Sequence, residues 1–185
     1  MKRFALVLAL VLLVPVSTVV AQKQFLNIAT GGTAGTYYPL GGAMAEIINK
    51  TVANVNATAV STGASVANLN MLASGEVQMA MVQNDITFYA YNGAEMFKDK
   101  KNANVRGLST LYYETIQVVT LWSTGIRSLA DCKGKRVAVG AAGSGTEANA
   151  RQILESVGIT YSDIRVQYLN FADAANSLRD GNVDV

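Results

Sequence analysis

The sequence predicts an α/β chain made of two similar lobes. Three observations predict it: short apolar runs alternate with segments of helical periodicity, Gly-rich loops join the two, and the second half repeats the order of the first. Lobe one, assigned to residues 22–108, opens with the strand "FLNIAT" (25–30) and the loop "GGTAGT" (31–36). Leu40, Met44, Ile47 and Ile48 then recur at helical spacing, with Pro39 suited to a first turn. A second strand is expected at "ATAVST" (57–62), a second helix at "SVANLNML" (65–72) and, past Gly75, a third strand at "VQMAMVQ" (77–83). This βαβαβ order implies a parallel sheet with helices across its faces.

Residues 109–122, part of the apolar stretch "VRGLSTLYYETIQVVTLW" (105–122), are expected to form crossover strands into lobe two (123–185). There "RVAVGAAGSGTEANARQILESVGI" (136–159) repeats strand, Gly-rich loop and helix, with Gly158 as the helix stop. "IRVQYL" (164–169) predicts the next strand and "DAANSL" (173–178) the next helix. Leu, Gly and Val of "LASGEVQM" (72–79) and "LRDGNVDV" (178–185) match at an offset of 106, and Gly35-Thr36 matches Gly145-Thr146 at an offset of 110. On that alignment lobe two is truncated at its C-terminus, stopping in mid-strand at Val185.

Residues 1–21 read as a secretory signal peptide. Lys2 and Arg3 form a basic start, Phe4 to Val14 is an apolar run, and Val19-Val20-Ala21 offers a cleavage site. A membrane anchor would need about 20 apolar residues; counted on to Val20 the stretch nearly reaches that, and the Ala21 site decides for cleavage. No Cys stands at that site, which argues against a lipid anchor. The expected location is therefore periplasmic or otherwise extracytoplasmic.

Charge and rare residues narrow the chemistry. The chain has 15 Lys and Arg against 13 Asp and Glu, and the leader holds two of the basic ones, so the remainder is balanced. No basic stripe points to nucleic acid. Cys132 is the single cysteine, which excludes an intrachain disulfide; it is expected as a small buried hydrophobe on a short helix. There is no histidine, so the commonest general base, nucleophile activator and metal ligand is missing. No metal or cofactor is expected.

Both Gly loops join the end of a strand to the start of a helix, where free backbone N–H groups and the helix dipole favour an anion. Thr33, Thr36, Ser144 and Thr146 add hydroxyls. The bland alternative is that Gly and Thr only build turns and caps; the matched pair favours a site. Neither loop has the Lys of a P-loop. "GSGTEA" (143–148) fits a relaxed dinucleotide pattern, but Asp163 follows a helix stop and turn rather than ending the second strand. Ser65 and Asn68 either line a cleft or cap a helix, and Asp85 either ends a sheet at a site or caps "ITFYAY". Tyr37 is assigned to the site, and the Lys98–Lys101 run to a solvated turn.

With "IATGGTAGTYYPLGGAMAEIIN", "AVSTGASVANLNMLASGEVQMAMVQND", "SLADCKGKRVAVG" and "GSGTEANARQILESVGITYSDI" in view, residues 22–185 resemble the TAXI family of solute-binding receptors of TRAP transporters. The resemblance implies the type II periplasmic binding protein fold: two Rossmann-like lobes closing on a small organic anion such as glutamate or a dicarboxylate, which is handed to a membrane permease. It places Thr33, Gly35, Thr36 and Tyr37 on one wall, with Thr62, Gly63, Ala64, Ser65, Gln83 and Asp85 close by and Ser144, Gly145 and Thr146 opposite. Ala142 stands where family members often carry Pro, and family members run well beyond residue 185. Two alternatives stay open: an exported enzyme using Asp85, Glu114 or Glu147 as acid or base, and a surface antigen or interaction module with a vestigial cleft.

Overall fold

The structure, a computed structural model, describes residues 22–185; the expected signal peptide over residues 1–21 lies outside the described residues. In the first half β1 (Gln24–Ala29), α1 (Tyr37–Thr51), β2 (Val55–Val60), α2 (Ser65–Ser74) and β3 (Met79–Ala80) follow in the predicted order, and α3 (Asn84–Asn92) comes after them. The sheet order is β2-β1-β3, all parallel, with Gln24 opposite Val55 and Ile28 opposite Met79. A parallel neighbour needs a crossover, and α1 supplies it between β1 and β2. Ile28, Ala45 and Ala57 are buried between sheet and helix, with Leu26, Met44, Ile48 and Met79 around them. Gly41 permits this close packing, because a Cβ there would overlap Thr30 Cγ2. Asn49 fixes the helix to the strand: its Nδ2 donates to Ala57 O (2.9 Å) and its Oδ1 accepts from Ala57 N (2.7 Å).

The second half uses the same plan. It comprises β4 (Arg136–Ala138), α4 (Gly145–Glu155), β5 (Arg165–Gln167) and α5 (Phe171–Arg179). β4 and β5 pair in parallel, Arg136 opposite Arg165. On the other edge of β4, Ala138 N–H donates to Val185 O and Asp184 N–H to Arg136 O, both at 2.8 Å. Residues 184–185 thus lie beside β4 as β3 lies beside β1, so the duplication read from sequence is also a duplication in space. Ile126, Cys132, Val137, Val139, Leu154, Ile159 and Ile164 form this half's core. Cys132 ends a 3-10 turn (Leu129–Cys132) and is buried, which pushes its thiol up.

A third cluster joins the halves. Ala148 of α4 packs with Leu69 of α2, Ile86 and Ala90 of α3, and Phe97. Two expectations are corrected here. The third strand, expected over 77–83, is confined to Met79–Ala80, although flanking bonds from Gln78 N to Asn27 O and Met81 N to Ala29 O extend its contact with β1. The crossover strands expected over 109–122 are not formed: residues 105–121 carry no regular structure and Trp122–Thr124 is a 3-10 turn. A strand exists only where a neighbour completes its hydrogen-bond ladder. Among the described residues no strand flanks this stretch, and Tyr113 is 98% exposed.

Candidate functional site

The carboxyl ends of parallel strands leave a crevice where following loops diverge, and open α/β sheets place ligands there. In this chain the loops after β1, β2, β4 and β5 surround one cavity of about 310 Å³. Each of those loops runs into a helix, so α1, α2, α4 and α5 all begin at its wall. The opening N–H groups of a helix have no acceptor within it. Among the described residues, those of Thr36, Ser65 and Gly145 find none elsewhere in the chain. Four partial positive helix ends around one small volume make it a place for negative charge.

Buried hydrogen bonds hold the loops in position. Asn68, fully buried, donates through Nδ2 to Thr30 O (2.6 Å) and Met81 O (2.8 Å), tying the ends of β1 and β3 together. Its Oδ1 accepts from Thr62 Oγ1 (2.5 Å), which brings in the loop after β2. Asn68 therefore neither caps α2 nor lines the cavity; it is the clamp behind it. Ala64, which precedes α2, has φ 71° and ψ −147°. An L residue holds that conformation only at a cost of about 1–3 kcal/mol, which the surrounding bonds must offset.

Of the residues expected at the site, Gly35, Thr36, Tyr37, Thr62, Gly63, Ala64, Ser65, Gln83, Ser144 and Thr146 line the cavity. Thr33, Asp85 and Gly145 do not. Thr33 is exposed at the tip of its loop. Gly145 lies directly under Gln83, and a Cβ there would overlap Gln83 Oε1 and Cδ. Asp85 is in the first turn of α3, where its Oδ2 accepts from Asn149 Nδ2 (2.7 Å). Asn149 Oδ1 in turn accepts from Gln83 Nε2 (2.6 Å), so Gln83, Asn149 and Asp85 form one polar chain across the halves. Ala67 N–H donates to Gly143 O (3.1 Å) alongside it.

The hydroxyls are less free than their number suggests. Thr62 is engaged by Asn68, Ser65 Oγ accepts from Gln83 N (3.0 Å), and Ser144 Oγ accepts from Glu147 N (3.0 Å) as the cap of α4. Accepting leaves the Ser144 O–H free to donate, so the unspent donors are backbone N–H groups together with the hydroxyls of Thr36, Ser144 and Thr146.

Several wall residues were not expected. Asn170 and Phe171 at the start of α5, with Leu169, close the side contributed by the loop after β5. The repeat could have found them, since its offset of 106 carries residues 62–65 onto 168–171. Tyr112 reaches the wall from the irregular 105–121 stretch with no local signal to mark it, and beside it stands Glu114, named from sequence only as an acid or base of the enzyme alternative. Tyr37 and Tyr112 meet edge to face with centroids 6.4 Å apart. Both donate to Glu114, Tyr37 to Oε2 (3.0 Å) and Tyr112 to Oε1 (2.9 Å). Burial and the adjacent Glu114 carboxylate push the Tyr37 phenol up; burial and the Glu114 hydrogen bond push Tyr112 up to about 12. Both phenols therefore stay protonated at neutral pH. Among the described residues Glu114 is the one charged side chain on the wall, and no Lys or Arg lines it.

The same α/β fold occurs in solved periplasmic binding proteins. The alkanesulfonate-binding protein SsuA from Xanthomonas axonopodis pv. citri, bound to MOPS, matches with a TM-score of 0.55 and 20% identity, over 89% of this chain and 54% of that one. The periplasmic aliphatic sulphonate-binding protein SsuA from Escherichia coli matches at 20% identity over 87% of this chain and 52% of that one, with a TM-score of 0.45. The chain spans about half the length of these structures. Residues 28–185 match the model of the NMT1-like family, and the chain belongs to that family.

Proposed function

We propose that this chain is a non-catalytic, extracytoplasmic solute-binding receptor that takes a small organic anion into the cavity between its halves. The observation that carries the reading is the convergence of four helix N-termini on that one cavity. The carboxylates considered as acid or base support binding over catalysis. Asp85 is held by Asn149, Glu147 pairs with Arg151 at 2.6 Å, and Glu114 accepts from two phenols.

The solute class is a carboxylate or a sulfonate, since either offers oxygens to backbone N–H groups. Glutamate or a dicarboxylate, and delivery to a TRAP-type permease, rest on the sequence resemblance. The fold likeness to an alkanesulfonate-binding protein favours including sulfonates as a second class. Closure of the halves over the solute would create the surface that a permease recognises.

Thermal-shift and titration calorimetry against glutamate, succinate, propionate and ethanesulfonate test the reading. At least one of these anions is expected to raise the melting temperature. Stabilisation by nucleotides with none by the anions would overturn it.

A further inference from the structure

A wall that offers helix N-termini to an anion carries one opposite feature, a carboxylate. We infer that Glu114 is a specificity-determining residue that receives a cationic nitrogen of the solute, so that the preferred ligand is a zwitterion rather than a simple anion or dianion. This rests on the receptor reading above and narrows it.

Geometry supports the assignment in three ways. First, Tyr37 opens α1 and its phenol bonds Glu114, so the carboxylate stands one tyrosine side chain away from a helix N-terminus. A small solute in a 310 Å³ cavity can reach both. Second, the carboxylate is held rather than loose. Each oxygen accepts one phenol hydrogen and keeps further lone-pair capacity for a donor from the solute. Third, its charge is not cancelled by the described residues: its partners are neutral phenols, and among those residues no Lys or Arg shares the wall.

Discrimination follows from charge. A solute ammonium would form charge-assisted hydrogen bonds to Glu114 and restore neutrality at that end. A second solute carboxylate in the same place would meet a like charge, which disfavours the wrong partner as well as favouring the right one. Glu114 is an exposed residue at the cavity's edge, so solvent moderates the effect.

The test compares solutes that differ only in the ammonium group: taurine with ethanesulfonate, β-alanine with propionate, and L-glutamate with glutarate, titrated into the full chain and its Glu114→Gln variant. The ammonium member of at least one pair is expected to bind about tenfold more tightly to the unsubstituted chain. Glu114→Gln should erase that preference while leaving the plain anion bound as well or better. Tyr112→Phe, which keeps the carboxylate but removes one phenol, should reduce the preference by about threefold. Equal binding within every pair, or a preference that survives Glu114→Gln, overturns the assignment and leaves the receptor reading standing. Absence of binding by all six solutes overturns both.

Discussion

In the first half α1 and α2 begin without a side-chain cap, whereas in the second half α4 begins under Ser144 and α5 under Asn170. Ser144 Oγ accepts from Glu147 N at 3.0 Å, and Asn170 Oδ1 accepts from Asp173 N at 3.1 Å. Two helix starts of one architectural plan therefore use their free donors differently. The capped pair satisfies part of its own N-terminus, as a structural helix does. The uncapped pair leaves the N–H groups of Thr36 and Ser65 unmatched beside a cavity, while Ala67 N–H of α2 donates to Gly143 O; one of its entrances contains the strained Ala64. Both halves offer donors to the cavity, but the second half spends part of each helix start on its own cap.

The strongest attack on this contrast is on the clamp behind the first-half loops. Asn68→Ala removes two donors from buried carbonyls and the acceptor for Thr62, and should cost about 3 kcal/mol in denaturant unfolding. A loss under 1 kcal/mol would mean that the loops hold themselves. The caps come next in size. Ser144→Ala should cost about 1 kcal/mol, and Thr36→Ala at most about half of that, because only the first removes a cap bond. Equal losses would erase the distinction between the halves.

The smallest effect concerns the acid side. Hydrogen bonds and charge from Arg136 hold the Asp184 carboxyl at about 2, below its ordinary 3.8. The stabilisation is complete above about pH 4 and is lost as pH falls towards 2. Part of the pair is open to solvent, so the loss is modest. Melting curves between those values should slope less in Asp184→Asn than in the unsubstituted chain.

The repeated βα units were legible in the sequence because period, Gly punctuation and strand-end loops are local signals. The Gly/Thr loops ending at 36 and 146 could be drawn towards one site from them, while 62–65 rest on the family resemblance; among the loops' expected residues Thr33 and Gly145 do not line the cavity. Three kinds of information were not local. The stretch around Ile116, Val118 and Val119 has strand-like composition, yet a strand also needs a neighbour, and all three residues stay exposed. Asp85 and Gly145 stand where ligand residues commonly stand, but contacts across the halves engage one and cover the other. Tyr112 and Glu114 reach the cavity only because an irregular segment passes it, which periodicity does not encode.

The placement of Ala148 bears on how the cavity would open. α4 is seated in the cluster with Leu69, Ile86, Ala90 and Phe97, and Gln152 of the same helix donates to Tyr89 OH at 3.0 Å. Separating the halves at that side would expose apolar surface and break the Gln83–Asn149–Asp85 chain. The opposite rim, where Thr36, Glu114 and Phe171 are exposed, is closed more lightly, by Asn170 and Phe171 lying against Gly32 and Gly35. α4 is thus a buried and bonded seat between the halves, and any opening of the cavity that kept it intact would have to turn about it like a hinge pin.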